Sequence, residues 1–286
     1  MTISLGILFG IIAMLGWGIA DFFVANAVRR SKVTQALLWI NTISFSILFI
    51  VFLLFFRLPA LPIGTIAFLL ITSLVAFISI MAFYKGLQVG NVSVVSPVSA
   101  SATVITVILS ILILKESINS LQAAAIAITI CGAVLASFKL HDLMKLRLKN
   151  FSKGVEYALI AMFGWGILFI LIDRLVDELG WFFPFFFLIM IELFYILAYS
   201  AFAKKALSFP KNAAVFIVLS SVFETTAFLS FGFGISMENI AVVSPIAFAF
   251  PAVTIILARI FFKEILDLNQ KIGIAAVLLG LVLLAI

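Results

Sequence analysis

Ten long apolar runs, divided by short charged or proline-containing breaks, fill the chain almost from end to end. A helix needs roughly 20 apolar residues to cross the ~30 Å hydrocarbon core of a bilayer, and each run is close to that length. Because 65% of the 286 residues are hydrophobic and only 10% are charged, a water-soluble fold is excluded. We predict an all-α integral membrane protein with ten transmembrane helices. The predicted spans cover residues 3–28, 35–56, 63–88, 95–114, 121–138, 154–175, 182–203, 213–235, 243–262 and 270–286.

The first half of the sequence recurs as the second half at an offset of 148 residues. The clearest repeated blocks are Gly16-Trp17-Gly18-Ile19 with Gly164-Trp165-Gly166-Ile167, Val94-Val95-Ser96-Pro97 with Val242-Val243-Ser244-Pro245, and Lys115-Glu116 with Lys263-Glu264. We predict two five-helix domains over 1–138 and 154–286, joined by a basic loop over 139–153. Because five crossings are an odd number, the second domain must enter the membrane upside down, as in the inverted repeats of transporters.

The basic residues are confined almost entirely to alternate loops. Of the 18 Lys and Arg residues, all but Arg57, Lys115 and Arg174 lie in or beside the odd-numbered loops. Loops rich in Lys and Arg tend to stay in the cytoplasm, so the charges favour odd loops inside and both termini outside. We predict a multi-pass protein of the plasma or inner membrane in this orientation. Contact with anionic lipid explains the basic loops, and nucleic acid is not an expected partner.

The chain resembles the EamA-type transporters of the drug/metabolite transporter superfamily. The resemblance rests on the two five-span halves, the Gly-Trp motifs at Trp17 and Trp165, the Ser-Pro motifs at Ser96 and Ser244, and the Lys-Glu pairs, and it covers essentially the whole chain. It implies a central cavity that opens alternately to each side, and substrates such as amino acids, nucleotide sugars or other small organic molecules. Many members are described with both termini in the cytoplasm, whereas the charges of this chain favour the opposite.

The first predicted span carries an acid and a tryptophan on one helical face. Trp17 and Asp21 are four residues apart, and Trp17 recurs as Trp165. A charged Asp at the centre of a span costs roughly 2.5–3.5 kcal/mol, so it usually faces the bundle interior and often marks a pathway. Asp21 and both tryptophans are therefore cavity candidates. The alternatives are that Asp21 reaches the basic loop and that the tryptophans only pack, while the neighbouring glycines favour close helix approach.

The fourth predicted span carries a polar stripe that includes Ser96, Ser99 and Thr103 at steps of three or four residues. The equivalent stripe begins at Ser244 and is mostly apolar. Small residues at this spacing usually mark tight packing, but a polar stripe in one half could also line an asymmetric cavity. Each Ser precedes a Pro, which predicts Ser as N-cap and Pro as the first helical residue. Two helix N-termini so placed could attract a carboxylate or phosphate.

Two further acids, Glu192 and Glu224, lie deep in spans of the second half, where no Lys or Arg lies at comparable depth. Because a charge is costly in apolar surroundings, such carboxyls favour the neutral form and could take and release protons. Asp21, Glu192 and Glu224 are therefore proton-coupling candidates, with protons as the coupling ion. The alternative is that each Glu stays protonated and hydrogen-bonded to neighbouring hydroxyls.

The sequence does not predict an enzyme, a cofactor or a metal site. His141, the only histidine, falls in the basic loop, where we expect it to be solvated. Cys131, the only cysteine, falls in an apolar run, where we interpret it as a small packing residue. Paired metal ligands, a nucleophile with a base, and a glycine-rich phosphate loop after a strand are all missing from the sequence.

A secondary carrier is therefore the first hypothesis. It would move a small organic metabolite, an amino acid or similar, by alternating access. Export is one direction considered, and import is left open. A non-transporting membrane scaffold or assembly protein is the competing class, and a channel is less favoured because no ring of like side chains is evident. A scaffold needs no polar interior. The discriminating observation is whether Asp21, Ser99, Thr103, Glu192 and Glu224 meet at one cavity.

Overall fold

The computed structural model describes residues 4–114, 120–137, 152–205 and 207–284, and these residues form helices and connecting loops without a β-strand. The α-helices are α1 (Leu5–Arg30), α2 (Val33–Phe55), α3 (Ile63–Val89), α4 (Val92–Ala100), α5 (Ala102–Leu109), α6 (Ser120–Ser137), α7 (Val155–Leu179), α8 (Phe183–Phe202), α9 (Ala214–Met237), α10 (Ile240–Ala247), α11 (Pro251–Phe261) and α12 (Leu268–Leu284). His141 and most of the predicted basic loop lie outside the described residues.

Eight helical segments of the described chain are long and apolar enough to cross a membrane. Two of them are composite: α4 and α5 form one segment over Val92–Ile113, and α10 and α11 form another over Val242–Phe261. The fifth and tenth predicted spans correspond to α6 and α12, whose apolar stretches, Ala123–Gly132 and Leu268–Gly280, are shorter. The multi-pass helical architecture predicted from the apolar runs is thereby confirmed.

Helix α1 packs against α9 along its whole length, and the two helices are antiparallel. A Cβ added to Gly6, near the start of α1, would lie 2.4 Å from the Cβ of Glu238, just after the end of α9. At mid-length a Cβ on Gly16 would lie 2.8 Å from the Cβ of Ala227. Backbones this close leave room only for glycine, so the glycine motif serves close helix approach, as predicted.

Helices α3 and α7 form the equivalent antiparallel pair. At the repeat offset of 148 residues, α7 corresponds to α1 and α3 corresponds to α9. Gly154 lies against Gly86 at one end of the pair, and a Cβ on Gly164 would collide with the Oγ of Ser79 at mid-length. Since α2 returns the chain between α1 and α3, these two helices run in the same direction. Helix α7 runs against both, so α1 and α7, the first helices of the two halves, point in opposite directions.

The ends of the helix bundle differ in charge. At one end α1, α3 and α8 finish and α7 and α9 begin; we call it the basic end. The acidic end is opposite, where α7 and α9 finish. The described basic end carries Arg29, Arg30, Lys32, Lys85, Lys153, Lys204, Lys205, Lys211, Arg259, Lys263 and Lys271, and the acidic end carries Asp173, Asp177, Glu178 and Glu238 with only Arg57 and Arg174 as described bases.

The prediction that Ser96 and Ser244 cap helices beginning at the following proline is wrong. Helix α4 begins at Val92 after the N-cap Asn91 and continues through Pro97, and α10 continues in the same way through Pro245. A proline inside a helix removes one backbone hydrogen bond, and α4 ends three residues later at Ala100. The anion site expected at these two helix starts therefore has no basis.

The packing role expected for Cys131 is also wrong, because its side chain is exposed on the surface of α6. Much of the bundle surface is similarly apolar: Phe55 is 75% exposed, Phe202 is 90% exposed and Ile265 is 89% exposed. Large apolar side chains on an outer surface are disfavoured in water but match lipid chains. The outside of this bundle therefore suits a bilayer.

Candidate functional site

A cavity lies between the two halves. Helices α1, α2 and α3 form one wall and α7, α8 and α9 form the other, and the break between α10 and α11 contributes Phe248 and Phe250. About 70 Å³ of the cavity is open to the centres of water-sized molecules. One buried water needs roughly 10–15 Å³ by this measure, so the cavity has room for a few waters or a very small organic group.

Three carboxyl groups line this cavity, and each accepts one hydrogen bond from a polar neighbour. The side chains of Asp21, Glu192 and Glu224 are only 7%, 8% and 9% exposed. Ser96 Oγ donates to Asp21 Oδ2 at 2.9 Å, Asn41 Nδ2 donates to Glu192 Oε2 at 2.9 Å, and the Tyr84 hydroxyl donates to Glu224 Oε2 at 3.3 Å. The described residues that line the cavity include no Lys, Arg or His.

The three carboxyls lie at one depth in the bundle. Asp21 is nine residues before the end of α1, Glu192 is ten residues before the end of α8, and Glu224 is ten residues after the start of α9. All three of these helix termini are at the basic end. At 1.5 Å per residue, each carboxyl is carried about 14–15 Å from that end, near the middle of a bilayer.

The carboxyls act on each other electrostatically. All three share one cavity with the Tyr84 hydroxyl, which donates to Glu224. Several carboxylates in one apolar site repel each other, so ionising all of them is costly. A positive charge beside the carboxyls would lower this cost, and protonation would remove the charge altogether.

Aromatic rings form about half of the remaining wall, including both tryptophans predicted as candidates. Trp17 meets Phe169, Phe228 and Phe248 at centroid separations of 6.0, 5.6 and 5.9 Å, and Trp165 lies 4.7 Å from Phe83. Edge-on contacts at such distances hold rings in fixed orientations. The cavity therefore combines a rigid aromatic wall with a few convergent polar groups, the usual composition of a small-molecule site.

The polar stripe of the fourth predicted span does not line the cavity, so of its two interpretations the structure agrees with packing and not with cavity lining. Ser96 lies behind Asp21 and reaches the cavity only through that carboxyl. Ser99 donates to the carbonyl of Ala158 in α7 at 3.4 Å, and Thr103 lies 3.4 Å from Ser244 in α10. The stripe faces α7 and the other proline-containing helix, because small side chains there let these helices approach closely.

Sequence reasoning missed three polar residues of the cavity: Asn41 and Tyr84, which donate to Glu192 and Glu224, and Ser44, which lines the cavity. An isolated amide or hydroxyl of this kind is a weak signal, because Ser, Thr and Tyr are scattered through most of the predicted spans. One clue was available for Asn41: a buried side-chain amide in lipid needs hydrogen-bond partners, and a partner on another helix is one way to supply them.

An ion pair joins the two halves at the basic end. The guanidinium of Arg29 donates to the carbonyls of Leu87 and Gly90 at 3.2 and 2.9 Å, and it lies 3.3 Å from the carboxylate of Glu264. The same carboxylate accepts from the backbone N–H groups of Val92 and Ser93, both at 2.9 Å. We call this arrangement the basic-end lock.

The repeat gives the lock an unequal counterpart at the acidic end. At the offset of 148 residues, the position equivalent to Arg29 is Asp177 and the position equivalent to Glu264 is Glu116. Glu116 lies outside the described residues. Since Asp177 has no guanidinium to donate to carbonyls, the acidic end cannot form the Arg29 half of the lock.

These observations define a multi-pass helical membrane protein with two repeats and an acid-containing cavity between them. The chain belongs to the EamA-like transporter family, whose model matches residues 4–138 and, a second time, residues 152–286. The predicted resemblance to the drug/metabolite transporter superfamily is thereby confirmed. Membership defines the chain as a membrane transporter of that type, in a family that is generally non-enzymatic, and it implies a small-molecule substrate.

Two further similarities agree with this assignment. The chain is 26% identical over 131 residues to "Uncharacterized protein MJ1333.1" of Methanocaldococcus jannaschii, in a match that covers 46% of this chain and 95% of that relative. The relative is therefore about as long as one repeat. A solved structure described as "Crystal structure of protein" superposes with a TM-score of 0.72 at 13% identity, covering 99% of this chain and 98% of that one. That likeness extends to the fold alone.

Proposed function

We propose that this protein is a secondary active transporter that moves a small organic metabolite across the cell membrane by alternating access, with protons as the coupling ion. The observation that carries the proposal is the cavity itself: Asp21, Glu192 and Glu224 line it without a basic residue among its described lining. Carboxyls are expensive in the middle of a membrane unless they serve a pathway. A scaffold would gain nothing from them.

The proposed topology is ten transmembrane helices in two inverted repeats, with residues 1–138 and 154–286 as the two domains and 139–153 as the linker. The opposite directions of α1 and α7 support the inversion. In transporters of this kind the two repeats exchange conformations around a fixed central site. The cavity lies at the junction of the two halves, where such an exchange would expose it first to one side and then to the other.

The breaks in the fourth and ninth predicted spans support a moving wall. Helix α4 ends at Ala100 and α5 begins at Ala102, and α10 ends at Ala247 before α11 begins at Pro251. A broken helix has fewer backbone hydrogen bonds to resist bending. Phe248 and Phe250 in the second break line the cavity, so bending there would change its shape.

The basic-end lock makes the two ends unequal. Closure of the basic end engages Arg29 and Glu264 across the halves, whereas the acidic end offers Asp177 in place of Arg29. The resting conformation is therefore closed at the basic end. Following the positive-inside rule, we assign that end to the cytoplasm and both termini to the outside of the plasma or inner membrane.

Two-sided chemical labelling of the cavity tests this function without knowledge of the substrate. In a Cys131→Ser background, Ser44→Cys places the only thiol in the cavity wall, because Ser44 lines the cavity and is 2% exposed. A membrane-impermeant maleimide is added to right-side-out and to inverted membrane vesicles. Alternating access predicts that this thiol reacts from both sides.

Ser73→Cys in the same background is the matched control, since Ser73 is fully buried on α3 but does not line the cavity. We expect it to resist the reagent from both sides. If Ser44→Cys resists the reagent from both sides as well, the cavity is a closed packing defect and the transport function is wrong. Reaction from one side only would contradict alternating access.

A further inference from the structure

We propose that the cavity binds a small organic amine in its protonated form, an ammonium ion that carries N–H donors. This inference rests on the proposed function in one respect: the amine is taken to be the transported substrate. It is carried by the free carboxyl oxygens, by the balance of charge in the cavity and by the aromatic wall.

Free hydrogen-bond acceptors remain at the site. Within the described part of the chain, Glu192 Oε1 and Glu224 Oε1 accept no hydrogen bond, although both side chains line the cavity and are only 8% and 9% exposed. Both oxygens are accessible from the open space of the cavity, so a donor that enters it can reach them. A ligand that bonds these two oxygens must carry an N–H or O–H group. Ligands without such a group cannot donate to them.

The charge balance determines the sign of the ligand. The titratable groups that line the cavity are Asp21, Tyr84, Glu192 and Glu224, and each of them is neutral or negative. An anionic ligand would add to the repulsion among the acids, and no basic side chain of the described lining could offset it. An ammonium ion would instead compensate carboxylate charge where water is scarce and Coulomb interactions are strong.

The aromatic wall suits an organic cation better than a metal ion. Nine of the described lining residues are aromatic, with Trp17 near the centre of the cluster. Ring faces attract cations, tryptophan most strongly, and they also pack against the hydrocarbon part of an amine. A hard metal ion would need about six oxygen ligands, more than the three carboxyls and Asn41 could readily arrange.

Exchange with protons follows from the same groups. When the cavity is empty, protons on the carboxyls lower the repulsion among them; when the amine is bound, its charge does so instead. Amine and protons would then compete for the acids, which makes the two cargoes move in opposite directions. The small volume of the cavity limits the amine to a few non-hydrogen atoms in this conformation.

A matched series of probes tests the amine directly by calorimetry on the purified full-length chain. We would compare n-butylamine with 1-butanol, which is neutral, with butanoate, which is anionic, and with tetramethylammonium, which is charged but has no N–H. We expect butylamine to bind at least tenfold more tightly than 1-butanol and butanoate, and more tightly than tetramethylammonium. Equal or tighter binding of 1-butanol or butanoate, or no binding of any probe, overturns the proposal.

Variants then test the residues that hold the amine. Glu192→Gln and Glu224→Gln should each weaken butylamine binding by tenfold or more, while Glu156→Gln, the same change at an exposed position of α7, should leave it unaltered. Should either cavity variant misfold, protection serves instead: butylamine, but not 1-butanol, should slow the labelling of Ser44→Cys. Undiminished binding in both cavity variants, or equal protection by the alcohol, contradicts the proposal.

The two proposals fail in different ways. If Ser44→Cys is labelled from both sides but butylamine has no advantage over 1-butanol, the protein is a transporter and only the substrate class is wrong. If Ser44→Cys is never labelled, the transport function itself is wrong, whatever binds.

Discussion

Replacing Glu264 with glutamine should open the basic end of the protein. The carboxylate of Glu264 is 7% exposed and accepts two backbone N–H groups at 2.9 Å, from Val92 and Ser93. Hydrogen bonds to a charged group contribute about 1.5–3 kcal/mol each, against about 0.5–1.5 kcal/mol for neutral ones. The side-chain amide of Gln has one oxygen, which can accept from only one of the two backbone N–H groups. Its NH₂ group would face the other N–H, from which it cannot accept a hydrogen bond.

At the low end of their range, the two charged contacts contribute about 3 kcal/mol, and the one neutral contact that Gln keeps contributes about 1 kcal/mol, so the loss is at least about 2 kcal/mol. The pair with Arg29 adds at most about 1 kcal/mol, because the Arg29 side chain is 30% exposed and water screens it. Since 1.36 kcal/mol corresponds to a factor of ten, about 2 kcal/mol shifts the ratio of open to closed basic ends by roughly 30-fold.

The assay is the rate at which Ser44→Cys reacts with an impermeant maleimide added from the basic end. If the basic end must open before the reagent enters, the rate should rise by roughly the same factor as the open population. Glu156→Gln is the control, because it removes the same charge from the same end at an exposed position. An unchanged or slower rate in Glu264→Gln, or an equal rise in the control, would refute the reasoning.

Two further predictions concern packing and proton coupling. Gly18→Ala would bring a Cβ to 2.5 Å from that of Val253, so we expect a loss of about 1–3 kcal/mol in stability and a lower unfolding temperature in detergent. Gly64→Ala is the control: its Cβ would meet nothing within 4 Å, so the change should be neutral or stabilising. Equal effects of the two variants would contradict the packing. Binding of butylamine should release protons, measured by calorimetry in buffers of different ionisation enthalpy. Glu224→Gln should release fewer, and an unchanged number would exclude Glu224 from coupling.

The sequence predicted those parts of the site that depend on local pattern. An acid inside an apolar run is conspicuous wherever the helices go, so Asp21, Glu192 and Glu224 could be chosen without a fold. The packing role of the glycines could also be predicted, because the same small-residue motif occurs in both halves and such motifs are typical of closely packed helices. The positions of the acids along their spans also made a common depth foreseeable.

Features that depend on which helices meet could not be predicted in this way. Asn41 matters only because α2 packs beside α8 and presents its amide to Glu192. The Ser-Pro motif misled for a related reason: the N–H groups at the start of α4 are satisfied by Glu264, more than 170 residues later in the chain, rather than by the nearby Ser96. Local capping rules cannot anticipate such a distant acceptor.

Distances between spin labels at the two ends test alternating access most directly. One pair, Lys32→Cys with Glu156→Cys, reports the separation of α1 and α7 at the basic end; a second pair, Leu8→Cys with Asp177→Cys, reports it at the acidic end, both in the Cys131→Ser background. On adding Glu264→Gln we predict that the basic-end distance lengthens while the acidic-end distance shortens. Two distances that stay fixed, or that lengthen together, would contradict the account.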